Sequence, residues 1–156
     1  LVKVGEELKK RGQRNVKILI FGDGTDKEVL EKQCREKQLD NVTFKGKVEK
    51  KYVPYILSKS NLNILNYKQA STWKYGGSQN KQFEYLASGR PICSNVKMGY
   101  SIIRANHCGV EENITKVGQY TDIIIEYMNM DRTEYKKIDR SIRRRILLCR
   151  SCFFGC

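Results

Sequence analysis

Apolar positions along this chain change their period several times, and each change marks an element. Leu1, Val4 and Leu8 recur at helical spacing with no capping residue ahead of them, which predicts an amphipathic helix already under way at Leu1 and a chain that begins inside a longer protein. Val16 to Phe21, VKILIF, is a continuous apolar run rich in β-branched residues, and the Gly22-Asp23-Gly24 turn follows at once. That is the signature of a strand buried on both faces of a parallel sheet. Asp26 to Lys37 places Val29, Leu30, Gln33 and Cys34 on one side of a helix, Asn41 breaks the pattern, and Val42 to Phe44 reads as a second strand closed by Gly46. Val53, Ile56 and Leu57 mark a short helix, and Leu62 to Leu65 a third strand.

After a loop from Tyr67 to Gln79, the residues Phe83, Leu86 and Ala87 predict the core face of a helix that starts near Gln79. It stops at Ser88-Gly89, with Pro91 beyond. Ile92 to Ser94 is a fourth strand, Met98, Ile102 and Ile103 a short helix, and Val110 the centre of a weak fifth strand. Two helices finish the pattern, one through Tyr120, Ile123, Ile124 and Tyr127, the other through Tyr135, Ile138 and Ile142. Alternating strands and helices joined by right-handed crossovers predict an α/β fold, a doubly wound, Rossmann-like parallel sheet. Ligands of such sheets bind beyond the carboxyl ends of the strands. The turns Gly22 to Thr25, Gly46 to Glu49, Tyr67 to Asn80 and Asn95 to Tyr100 all lie there.

With 156 residues, of which 40% are apolar, the chain supports one core. The expected division is a ligand-binding domain over 1–142 and a basic, cysteine-containing tail over 143–156. No apolar run approaches the roughly eighteen residues of a spanning helix, and the start lacks the layout of a secretory signal. Lys and Arg number 30 against 17 acids, a formal charge of +13, which favours anionic partners. The excess is uneven: Arg132, Lys136, Lys137, Arg140, Arg143, Arg144, Arg145 and Arg150 face only Glu134 and Asp139 in that stretch. The six cysteines, Cys34, Cys93, Cys108, Cys149, Cys152 and Cys156, form no dense framework, as expected of a reduced, cytoplasmic protein. Cys149, Cys152 and Cys156 with His107 would make four zinc ligands, but structural zinc sites pair two short ligand clusters around a turn, and no metal is expected.

The segment Tyr75 to Ile92 carries most of the candidate chemistry. Glycines including Gly77 permit close backbone approach, and the N-terminus of the following helix offers unpaired N–H groups and a favourable dipole to an anion such as phosphate. Asn80, Lys81 and Glu84 share one flank of that helix because their spacings are three and four. A carboxylate accepts two hydrogen bonds, so Glu84 suits the vicinal hydroxyls of a ribose while Lys81 faces phosphate. The competing reading is a solvated flank in which Lys81 and Glu84 pair with each other, worth at most about 0.5 kcal/mol.

The GDG turn after an apolar strand, NVTFKGKV at Asn41 to Val48, and NKQFEYLASGRPI at Asn80 to Ile92 together resemble the C-terminal domain of the group 1 glycosyltransferases, a retaining family of the GT-B fold. The resemblance covers roughly Leu1 to Met130. Glu84, Ala87, Gly89, Arg90 and Pro91 match the family's last motif, while its first glutamate falls at Gly76. Ser78, Asn80 and Lys81 match a subgroup pattern instead. The resemblance implies transfer of a sugar from a nucleotide diphosphate donor with retention, in cell-surface polysaccharide synthesis, with no cofactor. Its implied donor-binding set is Glu84, Lys81, Asn80, Ser78, Gly77, Gly22, Gly24 and Val48, the last at the nucleobase. It also implies a basic pair and an acceptor domain ahead of Leu1, so that the present chain alone has little activity. Peripheral contact with the anionic inner face of a membrane is a further expectation from the basic end.

Two alternatives compete with this reading. A nucleic-acid-binding module is compatible with +13 and nine tyrosines but lacks a recognition motif, so nucleic acid is not the expected partner. A GT-B-fold nucleotide-sugar epimerase fragment is the nearest enzymatic alternative. The chain excludes the common phosphate loops: Lys27 stands where a dinucleotide fingerprint needs its third glycine, and no Walker pattern occurs.

Overall fold

A computed structural model describes residues 1–76 and 80–153, with side chains described as far as residue 143. Helix α1 (Val2–Lys10) buries Val2, Val4 and Leu8 as their spacing predicts. It leads to β1 (Ile18–Phe21), α2 (Lys27–Glu36) and β2 (Val42–Gly46). A 3-10 turn at Lys50–Tyr52 opens α3 (Val53–Lys59), whose Pro54 sits in the first turn, where its missing N–H costs nothing. Then come β3 (Asn63–Leu65), a 3-10 segment at Ser71–Tyr75, α4 (Asn80–Ala87), β4 (Ile92–Ser94), α5 (Ile102–Ala105) and β5 (Gly109–Glu111). Helices α6 (Val117–Asn129) and α7 (Arg132–Phe153) complete the described chain. Helix α7 runs unbroken through residue 143.

Every strand pair is parallel, as the βαβ alternation requires. The pairs fall into two groups, β1 with β2 and the trio β3-β4-β5. In the trio, side chains alternate between two cores. Cys93, with the partly buried Ile64 and Val110, joins the larger cluster built on Val4 and Leu8 of α1 and Tyr120, Ile124 and Tyr127 of α6. Ile92 and Leu65 point the other way, to Ile103, Cys108 and Ile142 with Tyr85 and Leu86 against them.

Two expectations about burial are corrected. The run VKILIF is not covered on both faces: Ile18 lies in the core, but Leu19 is 51% and Phe21 40% exposed. Nothing among the described residues covers that side of β1. On α2, Leu30 and Cys34 face the core while Val29 and Gln33 face solvent, because the helix docks on β2 through one narrow stripe.

Gly109 fixes how closely β5 approaches β4. Its φ of +147° is one that other residues rarely adopt, and a Cβ there would lie 1.9 Å from the Ile92 carbonyl oxygen. Gly109→Ala should therefore destabilise the fold by at least about 2 kcal/mol through backbone strain and clash. Gly24→Ala, where a Cβ meets open space, should change stability by less than about 0.5 kcal/mol. Urea denaturation of both variants checks the contrast, and equal midpoints would contradict the packing described here.

Candidate functional site

Because the strands are parallel, their carboxyl ends gather the loops at one edge of the domain. Gly22, with φ of +122°, turns the chain after β1, and its N–H donates to the Gly46 carbonyl at 2.7 Å. This bond ties the turn after β1 to the end of β2. The Lys27 ammonium donates to Asp23 at 2.8 Å beside Gly46. That bond holds the Asp23 carboxyl below and the Lys27 ammonium above their ordinary ranges. Gly24 is exposed on the same rim, and Val48 is half-buried just past β2.

A second tie joins the loops after β3 and β4. Asn95 imitates a strand neighbour: its Oδ1 accepts from the Tyr67 N–H at 2.7 Å, and its Nδ2 donates to the Tyr67 carbonyl at 2.9 Å. Gln69 donates to the Asn95 carbonyl at 2.6 Å, and the Gly99 N–H donates to the Trp73 carbonyl at 3.0 Å. Gly99 is required by this approach, since a Cβ would lie 1.9 Å from the Lys74 carbonyl oxygen. Behind the loop, the buried Glu111 carboxylate accepts from the Met98 N–H at 2.9 Å and lies 3.4 Å from the Arg104 guanidinium. Residues 67–76 and 95–101 thus behave as one braced wall leading into α4. None of Asn95, Gly99 or Glu111 was singled out by sequence reasoning, because their roles rest on contacts distant along the chain.

Helix α4 presents the predicted flank, but on a helix rolled about its axis. Gln82 is 3% exposed, and Tyr85 and Leu86 pack against Ile138 and Ile142 of α7. Phe83, predicted to be core, is 48% exposed, and Ala87 is exposed as well. Of the predicted face, Leu86 packs inward as expected, while Phe83 and Ala87 are corrected, since α7 captures the neighbouring stripe. The roll leaves Glu84, Ala87 and Ser88 facing α3 across a cleft of about 200 Å³ whose other side is Lys50, Val53, Pro54 and Leu57. Glu84 is half-buried and forms no ion pair with Lys81 among the described residues, so the mutual pairing of the two is not observed. Asn80 and Lys81 are exposed at the start of the same helix. Gly77 and Ser78 lie outside the described residues, as do the side chains of Cys149, Cys152 and Cys156. Among the described residues no cluster of His, Cys, Asp and Glu could hold a metal ion.

A parallel sheet flanked by helices, with a cleft between α3 and α4, puts the domain in the α/β class of folds. Comparison with solved structures narrows the class to the GT-B glycosyltransferase fold. A crystal structure of a TarM mutant from S. aureus, in complex with fondaparinux, alpha-GlcNAc-glycerol and UDP, matches with a TM-score of 0.70 and 22% identity. The match covers 94% of this chain and 28% of that one. The family model of the group 1 glycosyl transferases matches residues 1–130, and the chain belongs to that family. No curated protein sequence matches.

The bracing by Asn95 is testable on the isolated chain. Asn95→Ala leaves the Tyr67 N–H and carbonyl unpartnered and should cost about 1 to 3 kcal/mol. Amide exchange across residues 67–76 should quicken selectively, and the fluorescence of Trp73, the sole tryptophan, should shift toward that of a solvated indole. Unchanged exchange in that segment would show that the wall is held by other contacts.

Proposed function

We propose that this chain is the donor-binding half of a retaining glycosyltransferase, which takes a sugar from a nucleotide diphosphate-sugar and passes it to an acceptor held largely by another domain. The carrying observation is the cleft between α3 and α4, where Glu84 is half-buried with no ion pair among the described residues and Val53, Pro54 and Leu57, beside Lys50, line the opposite wall. Such a site suits a nucleoside. The carboxylate takes the two ribose hydroxyls, while Val53, Pro54 and Leu57, with Val48 nearby along the chain, give the base an apolar surface. Lys81, Asn80 and the N-terminal turn of α4, with Gly77 and Ser78 ahead of it, then receive the diphosphate, and Gly22 and Gly24 leave room at the mouth.

The reaction needs charge stabilisation on the departing diphosphate more than a strong protein base. Lys81 and the N–H groups at the start of α4 provide it without a metal or cofactor. The bond from the anomeric carbon to the diphosphate oxygen breaks, the acceptor oxygen bonds on the same face, and its proton leaves with the diphosphate. Because the TarM complex contains UDP and alpha-GlcNAc-glycerol, UDP-sugars are the first donors to test. Cell-surface polysaccharide synthesis is the setting proposed for the whole enzyme.

Glu84→Gln keeps the size of the side chain but replaces one acceptor oxygen by a donor and removes the charge. A charge-assisted hydrogen bond contributes roughly 1.5 to 3 kcal/mol, so the dissociation constant for UDP should rise about tenfold or more while the melting temperature stays unchanged. Calorimetric titration of wild type and mutant decides it. Equal UDP affinities would remove Glu84 from the site.

Helix α7 adds a second element to this reading, peripheral attachment to an anionic membrane. Its inner face packs on the domain through Ile138 and Ile142, with the Tyr135 hydroxyl donating to the Asn61 carbonyl, whereas Arg132, Lys136 and Arg140 recur along its exposed face. Basic groups close to an acidic bilayer contribute about 1 kcal/mol each. Liposome co-sedimentation should increase with acidic lipid and fall with salt, and binding indifferent to acidic lipid would reject the attachment.

A further inference from the structure

We infer that Tyr75 and Tyr100 form an aromatic platform on which a pyranose ring stacks, on the wall that leads into α4. The place of this platform in the reaction rests on the donor-binding reading, whereas the platform itself rests on the bracing of the wall.

Tyr75 and Tyr100 are 80% and 74% exposed, more than any other large hydrophobic residue among those described. Their backbones are nevertheless fixed. Tyr75 closes the 3-10 segment Ser71–Tyr75, and the Trp73 carbonyl within it accepts from the Gly76 and Gly99 N–H groups, each at 3.0 Å. Tyr100 sits between two pinned residues. Gly99 approaches Lys74 too closely to carry a side chain, and the buried Ser101 caps α5 by accepting from the Arg104 N–H at 3.0 Å. Gly76 brings the two stretches together, since a Cβ there would lie 3.7 Å from the Tyr100 Cβ, and its φ of +92° suits glycine. Gly76 offers a ligand no side chain of its own. The two rings therefore rise from neighbouring points of one braced piece of backbone.

Chemistry and position identify the occupant. Neither ring stacks on another aromatic ring among the described residues. The Lys74 ammonium lies over the Tyr75 ring, 4.9 Å from its centre, and with the residue so exposed the other face stays open. Nearby along the chain, Ser71, Thr72, Lys74 and Lys97 are exposed and polar. Rings set among polar groups suit a ligand with an apolar face and a hydroxylated edge. A pyranose is such a ligand, because its axial C–H groups pack flat on a tyrosine ring while its hydroxyls turn to polar neighbours. Two aromatic side chains offer at most about 500 Å² between them, short of the roughly 800 Å² per partner of a stable protein interface. A small ligand fits that area better than a protein does. The wall runs from Tyr75 toward α4, whose first turn takes the diphosphate in the donor reading, and the sugar is the group joined to that diphosphate. Because the wall is already braced, stacking on it costs little ordering.

The test titrates the 156-residue chain and its Tyr75→Ala, Tyr100→Ala, Tyr75→Phe and Tyr100→Phe variants with UDP, UDP-N-acetylglucosamine and chitotriose. Each alanine variant should bind a sugar-bearing probe about fivefold or more weakly than the parent chain, with UDP affinity and melting temperature unchanged. The phenylalanine variants should bind like the parent. Loss confined to UDP-N-acetylglucosamine assigns the platform to the donor sugar, and loss of chitotriose binding assigns it to an acceptor sugar. Failure of UDP to bind the parent chain would overturn the donor reading alone. Chitotriose then decides the platform by itself, through upfield shifts of the tyrosine ring-proton resonances that the alanine variants assign. The platform is overturned if the alanine variants bind both sugar probes as the parent does, or if they weaken UDP as much as UDP-N-acetylglucosamine. It is equally overturned if UDP fails to bind and neither ring resonance responds to chitotriose.

Discussion

Backbone pairing among β3, β4 and β5 is the constraint on which the rest of this domain depends. β4 is hydrogen-bonded on both sides, and Ile92 and Cys93 within it are fully buried on opposite faces. Gly109 permits the ladder because no side chain fits between β5 and the Ile92 carbonyl. Once the strands are parallel, their exits lie at one edge, and the loops there cannot avoid one another. Asn95 and Gly99 convert that crowding into specific bonds, and Glu111 braces them from the end of β5.

The same logic governs α4. Its orientation is decided by α7, whose Ile138 and Ile142 meet Tyr85 and Leu86 and so bury Gln82 rather than Phe83. Turning that stripe inward turns Glu84, Ala87 and Ser88 toward α3, and the cleft follows. A helix near the end of the described chain thus sets the aim of a carboxylate far from it in sequence. Helix α7 therefore presents two faces, an apolar one that orients α4 and a basic one turned to solvent.

Charge contributes little to holding this fold together. Most of the ion pairs lie at the surface with at least one partner exposed, several of them one helical turn apart, where solvent screens them strongly. Arg104 with Glu111 differs because the carboxylate is fully buried and also accepts a backbone N–H, so its removal would leave a buried donor unmatched.

Periodicity alone was enough for the order of elements: the helical spacing of Leu1, Val4 and Leu8, the fourth strand at Ile92 to Ser94, and the inward set Tyr120, Ile123, Ile124 and Tyr127 all appear where the pattern places them. Residue chemistry and motif order were enough for the family and for Glu84 as a candidate, since a carboxylate one turn into a helix at a strand's exit is a local property of the chain. What only the tertiary structure decided was which side of each element meets a neighbour. Phe83 and Leu19 are as apolar as their buried neighbours, and nothing in their own surroundings along the chain reveals that α7 claims the adjacent stripe or that β1 has a partner on one edge only. Hydrophobic patterning reports how much surface must be buried locally, whereas the identity of the covering element is set by contacts between segments that the pattern does not encode.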